Sequence, residues 1–207
     1  MRFTRFLPVS TALCAFASCV LAQGLPPRVA PTDYASQGKA GNITIAADFT
    51  GHSIPTPQGT FLSEDHVVVE AAFFGPADSK VKITVEDFSL RINGKKSPSP
   101  SQPFLLVAKS LKDPEWIPPE PVEKKSKTSL GGGGGQDSGP VIPPKMPIEL
   151  RHAMDQKVQK ATMPEGERAT PVAGLLYFQY RGKTESIRSL ELVYEGAAGK
   201  VTIPLQP

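Results

Sequence analysis

The chain has 207 residues, with 23 Lys and Arg against 20 Asp and Glu and a formal net charge of +3. A balance this close to neutral argues against general nucleic-acid or anionic-membrane binding, both of which need a basic field. Its 22 prolines and 18 glycines are concentrated rather than spread, so they mark appendages to a domain rather than its core.

The first 22 residues read as a secretory leader. Arg2 and Arg5 supply a positive start, Phe6 to Leu21 is uncharged, and Val20-Leu21-Ala22 sets up cleavage before Gln23. An uncleaved anchor is the alternative, but the run falls short of the roughly 20 residues that span a bilayer. A second alternative is lipidation at Cys19, since Phe16-Ala17-Ser18-Cys19 loosely resembles a lipoprotein box. Both cysteines, Cys14 and Cys19, lie in this leader. The chain from Gln23 on has neither disulfide nor thiol chemistry. Losing Arg2 and Arg5 leaves 21 basic against 20 acidic residues, a net charge of +1. The expected location is therefore outside the cytoplasm, periplasmic or extracellular, with no transmembrane span in the mature chain.

Residues 23–41 are polar and rich in Gly and Pro, and the expectation is a flexible lead-in. Residues 42–111 carry the first strand signals. Ile43, Ile45 and Ala47 alternate with a second set, and Gly51 to Gly59, with two prolines, closes that strand. His66 to Phe74 is β-branched and aromatic with apolar side chains for both faces, as in a central strand. Gly75-Pro76-Ala77-Asp78 is turn chemistry. Lys80 to Glu86 alternates cleanly, and Phe88, Leu90 and Ile92 alternate again out of phase, so a bulge or corner is predicted at Glu86-Asp87. Asn93-Gly94 is a turn, and Phe104 to Ala108 reads as a further short strand.

Residues 112–146 form a Pro/Gly-rich insertion with a five-glycine run, Gly131 to Gly135. This composition buries too little apolar surface to offset its ordering entropy, so disorder is the expectation. A helix is predicted over 147–162, with Pro147 at its first position and Leu150, Met154, Val158 and Ala161 in one apolar stripe. Thr170 to Tyr180, Ile187 to Tyr194 and Lys200 to Leu205 then close the domain within 163–207. Short strands in two blocks with frequent turns predict a mainly β fold, an immunoglobulin-like antiparallel β-sandwich interrupted by the insertion and one short helix.

Val67-Val68-Val69-Glu70 followed by Phe88-Ser89-Leu90-Arg91-Ile92-Asn93-Gly94 resembles the exported bacterial telokin-like, immunoglobulin-like domains of unknown function. Gly174-Leu175-Leu176-Tyr177-Phe178 and Leu190-Glu191-Leu192-Val193-Tyr194 are similar to that family's closing strands. The likeness covers about 61–94 and 166–205. It departs at the insertion and at the Gly75-Pro76 turn, where the family has an Asn-rich one. It implies an extracytoplasmic sandwich and no catalytic residues.

No spacing points to a reaction. His52, His66 and His152 share no metal-ligand spacing, and Glu64-Asp65 and Glu86-Asp87 read as edge charge rather than an acid/base pair or calcium loop. The glycine run lacks the Gly-Lys-Ser/Thr ending of a phosphate loop, and no serine sits in Gly-x-Ser-x-Gly. Catalytic, cofactor and metal residues are therefore expected to be none. Binding has three candidates: Tyr177 and Tyr180, on a strand with aromatics on both faces; Trp116 beside Ile117-Pro118-Pro119, a possible docking peptide; and the basic patch Lys124-Lys125-Ser126-Lys127. The expected function is non-enzymatic: an interaction or accessory protein of the bacterial envelope, partnered by an envelope protein or polysaccharide. A carbohydrate- or small-ligand-binding module is the alternative, and an enzyme acting on wall polymers is third.

Overall fold

The computed structural model describes residues 23–119 and 145–207. The leader with Cys14 and Cys19, the glycine run and the basic patch at 124–127 lie outside the described residues.

The chain is mainly β, and its strands pair antiparallel. In order they are β1 (Ser36–Ala40), β2 (Ile43–Gly51), β3 (Ser53–Thr56), β4 (Gly59–Ser63), β5 (His66–Phe74), β6 (Lys80–Ile83), β7 (Phe88–Ile92) and β8 (Ser99–Gln102). A short helix α1 (Phe104–Val107), a 3-10 turn over Ala108–Ser110 and β9 (Leu111–Lys112) follow. After the undescribed stretch come α2 (Ile148–Ala161), β10 (Gly166–Ala169), β11 (Val172–Gln179), β12 (Leu190–Gly196) and β13 (Gly199–Leu205). Eight strands make one sheet, ordered β1-β2-β5-β11-β8-β7-β12-β13. A Cβ on Gly38 of β1 would lie 2.8 Å from Val201 and 2.9 Å from Ile203 of β13. The two edges thus approach each other, and the sheet is a nearly closed barrel.

Alternation along the strands decides what fills it. Ile43 and Ile45 of β2, Val67, Val69, Ala71 and Phe73 of β5, Leu90 of β7, and Leu192 and Tyr194 of β12 all point into one core. Phe73 meets Phe88 and Tyr194 edge-on, with ring centroids 5.9 and 5.5 Å apart. The other face of β5 is also covered, as its two-sided apolar sequence predicts. Val68 packs with Leu175 and Tyr177 of β11 under Met154, Val158 and Ala161 of α2, and Ala72 packs with Ala46, Ala173 and Tyr34. The slip in phase at Glu86-Asp87 is a corner: a 3-10 turn over Val85–Asp87, where Asp87 Oδ2 accepts from the Thr84 N–H at 3.1 Å.

Several expectations are corrected. The lead-in is built structure rather than a flexible tether. Leu25 bridges to Ala173, β1 pairs with β2, and Tyr34 is buried. Arg28 supplies what polarity hid, since its guanidinium lies 2.6 Å from Asp48, 3.1 Å from Glu70 and 4.2 Å over the Tyr34 ring. Gly51 to Gly59 does not merely end a strand. It contains β3, which forms a hairpin with β4, because Gly51 and Gly59 adopt φ of +63° and +138° that let the chain turn on either side. Phe104 to Ala108 is helical rather than extended: Pro103 starts a turn whose apolar Val107 alone is buried. Pro147 caps α2 from outside instead of occupying its first position, and Leu150 leaves the stripe, being 52% exposed on an uncovered first turn.

Arg28 gives a test. Arg28→Met leaves the Asp48 and Glu70 carboxylates facing each other, with side chains only 20% and 12% exposed. Breaking a buried pair costs several kcal/mol, which partial exposure reduces to about 1–3 kcal/mol. Urea unfolding should show that loss, and adding Glu70→Gln to Arg28→Met should recover part of it.

Candidate functional site

The register of the sheet builds the site. Opposed residues point to the same face, so pairing sets Val68, Tyr177 and Gln102 in one outward row across β5, β11 and β8. The next row begins with His66 and Gln179. It would continue to Pro100, but Pro100 has no N–H to donate, and the β8–β11 ladder ends after two residue pairs. Val68 and Tyr177 of the first row are roofed by α2. Gln102 and the second row are not, and a groove opens at this seam.

Two adjoining cavities make up the groove, sharing Gln102, Gln179 and Arg181 as walls. The larger, about 520 Å³, adds Lys95, Ser99 and Tyr180. The smaller, about 230 Å³, is lined by His66 and Asp65 together with Leu106 of α1 and Lys109 of the 3-10 turn after it. The lining therefore mixes amides, hydroxyls, the Tyr180 and His66 rings, cations and one carboxylate, Asp65.

His66 forms the inner end. Its Nδ1 lies 3.3 Å from Ser63 Oγ and 3.2 Å from Ser110 Oγ, the two hydroxyls are 2.9 Å apart, and the Ser110 hydroxyl donates to the Val107 carbonyl. This resembles a nucleophile and base in composition only. Ser63 is 1% and Ser110 9% exposed, so neither hydroxyl opens onto the groove, and the cluster ties β4, β5 and α1 together. Burial lowers the His66 pKa, with Asp65 opposing the shift and Arg181 and His52 adding to it. The unfolded chain therefore holds this proton to higher pH than the folded one. The contribution to stability is present above about pH 6.5 and is lost as pH falls through the depressed value. Thermal melts between pH 7.5 and 5 should show a slope that His66→Asn reduces.

His52 sits behind the groove. Its Nδ1 faces the carbonyls of Ser63 and His66 at 2.9 and 2.8 Å, and its Nε2 faces the Gly182 carbonyl at 2.9 Å. The ring thereby staples the β2–β3 turn to the β4–β5 corner and to the loop after β11. It also stacks on Tyr180, with centroids 6.3 Å apart, while the Tyr180 hydroxyl hydrogen-bonds Ser186 at 2.7 Å. Tyr180 is thus fixed from two sides as it lines the groove.

The three predicted binding residues part company here. Tyr180 belongs to the groove. Tyr177 does not reach the surface: it is 1% exposed under α2, its hydroxyl is 3.2 Å from Thr162 Oγ1, and burial pushes its phenol well above the ordinary range. Trp116 is half-buried in a turn where its N–H donates to the Asp113 carbonyl, away from the groove lining. Gln102, Gln179 and Arg181 carried no motif that could have singled them out, because only the pairing of β8 with β11 brings them together. Among the described residues no cluster of three or more His, Cys, Asp or Glu could hold a metal ion, and no helix is long and apolar enough to cross a membrane. No family model, curated protein or solved structure matches the chain.

Proposed function

We propose that this is a non-enzymatic binding protein of the bacterial envelope, exported through the leader read in residues 1–22, and that the seam groove receives an envelope polysaccharide. The observation that carries this reading is the groove lining. Gln102, Gln179 and Ser99 offer donors and acceptors suited to a hydroxyl-rich chain, and Tyr180 is a rigid aromatic beside them. The buried serines next to His66 support a structural rather than a catalytic role for that cluster. The immunoglobulin-like sandwich belongs to the same proposal. It is supported by the two halves of the sheet, joined through β8, that face each other across Phe73, Phe88 and Tyr194. The resemblance to exported telokin-like domains is proposed on the same footing.

Co-sedimentation with insoluble envelope polysaccharide tests the reading. Gln102→Ala/Gln179→Ala removes two neutral hydrogen-bonding side chains, and binding should weaken about fivefold or more. Undiminished binding by the double variant would move the site elsewhere, and no sedimentation of the native protein would sink the reading.

A protein partner is the second reading. Leu105 and Leu106 on α1 and Ile148 and Leu150 on the first turn of α2 are exposed, and Arg151 joins the two elements by donating to the Ala108 carbonyl at 3.2 Å. Leu105→Glu with Leu150→Glu should abolish capture of such a partner while leaving the polysaccharide test unchanged.

A further inference from the structure

The rim around the groove is more basic than the chain as a whole. Lys95, Lys109 and Arg181 line the cavities, and Lys96, Lys183 and Arg188 on the same segments are exposed as well, against Asp65 and Glu185, Glu64 being paired with Lys112. Six cations against two carboxylates leave +4 in these few residues, more than the whole 207-residue chain carries net, +3. Three segments gather these cations: the Asn93-Gly94 turn, the loop after β11 and the turn after α1. Asn93 locks the first two together, its Nδ2 donating to the Ser186 carbonyl at 3.1 Å and its Oδ1 accepting from the Arg188 N–H at 2.7 Å. Both residues of the turn hold positive φ, 53° for Asn93 and 65° for Gly94, which asparagine and glycine tolerate best.

Within the rim Arg181 is oriented rather than loose. Asp65 Oδ1 lies 3.0 Å from its Nε, so the guanidinium is held by its inner edge, and the side chain stays 71% exposed. Its outer pair of N–H groups is left for a planar anion. Lys95 and Lys109 line the two cavities, and neither forms an ion pair among the described residues. Neutral donors, the Tyr180 and His66 rings, and three cations against the single carboxylate of Asp65 therefore line one open groove.

We propose that the groove binds a polysaccharide bearing carboxylates, with a carboxylate seated on the outer edge of Arg181, further carboxylates drawn by Lys109 and Lys95, and sugar hydroxyls on Gln102, Gln179 and Ser99. This rests on the polysaccharide reading above and gives it a charge. Single-stranded nucleic acid fits less well, because such sites stack successive bases on several exposed aromatics, whereas this lining offers Tyr180 and a His66 ring that is only 7% exposed. An anionic membrane surface would leave the lining amides of Gln102 and Gln179 without a role.

The test measures binding of the full-length protein to an oligogalacturonate and to its fully methyl-esterified form, which keeps the chain and loses the charge. The acid form should bind, and the ester should bind about tenfold or more weakly, as expected for loss of a charge-assisted contact. Raising salt should weaken the acid form alone. Arg181→Gln and Lys109→Gln, both at exposed side chains, should each weaken the acid form with unchanged melting temperature. Equal affinity for acid and ester, with binding lost in Gln102→Ala/Gln179→Ala, overturns the charge inference and leaves the polysaccharide reading standing. Binding to neither, together with no sedimentation on envelope polysaccharide, overturns both. Tighter binding to oligo-dT or to phosphatidylglycerol vesicles than to oligogalacturonate also overturns the inference.

Discussion

Phe73→Ala is expected to destabilise the protein by about 3–5 kcal/mol, the range for emptying a large aromatic site in a packed core. Phe73 is fully buried near the C-terminal end of β5, where its ring meets Phe88 of β7 and Tyr194 of β12, and those two rings are 5.2 Å apart. The three aromatics come from both halves of the sheet. Removing the central one therefore opens a void that neither half can close without sliding against the other. Edge-on aromatic pairs add about 0.5–1.5 kcal/mol beyond area burial. For a chain of this size the melting temperature should fall by about 10 °C. Val29→Ala is the control. At 98% exposure it should stay within about 0.5 kcal/mol. A Phe73→Ala loss below about 1 kcal/mol would mean that the two halves do not pack as described.

Gly174→Ala should be nearly as damaging, for a reason no apolar count reveals. Gly174 lies in β11 opposite Ala71, and the chain leaving α2 crosses directly over it: Met163 N–H donates to the Leu175 carbonyl at 2.9 Å. An added Cβ would lie 2.4 Å from Met163 Cα and 2.6 Å from Met163 N. Both are backbone atoms, so no side-chain rotation relieves the contact. Overpacking costs about 1–3 kcal/mol, and a backbone clash belongs at the upper end, about 3 kcal/mol. The displaced segment carries Ala161 and Met163, both buried, away from the sheet. Hydrogen exchange should therefore accelerate at 160–176 ahead of the β12–β13 pair. Uniform exchange across the chain, with unchanged stability, would refute the crossing.

The effect of such a substitution could not be read from the residues alone. Gly174 looks like an ordinary strand glycine in Ala173-Gly174-Leu175, and its requirement comes from a segment that touches it only after folding. The groove behaves in the same way. Tyr180 was legible as a candidate because it belongs to a strand with aromatics on both faces. Tyr177 was equally conspicuous and is buried, because period-two alternation tells that neighbouring residues face opposite ways but not which face α2 will cover. Trp116 stood out because Ile117-Pro118-Pro119 follows it, as in a docking peptide. Arg28 and the strap around it were hidden by their own polarity, since a proline-rich, charged stretch looks the same whether its charges meet solvent or meet Asp48 and Glu70.

What the sequence determined by itself was local. The β character of the chain, the two-faced burial of His66 to Phe74, the corner at Glu86-Asp87, the Asn93-Gly94 turn and the helix ending at Ala161 each follow from side-chain periodicity or turn chemistry within a few residues. Tertiary structure alone decided the rest. It brought the sheet edges together, inserted β11 between β5 and β8, and stopped the ladder at Pro100, so that Gln102, Gln179 and Arg181 surround one opening. The physical reason is range. Dihedral preference and alternation act between neighbours along the chain, whereas strand order and the covering of one face are settled by burial of apolar surface from segments far apart in sequence.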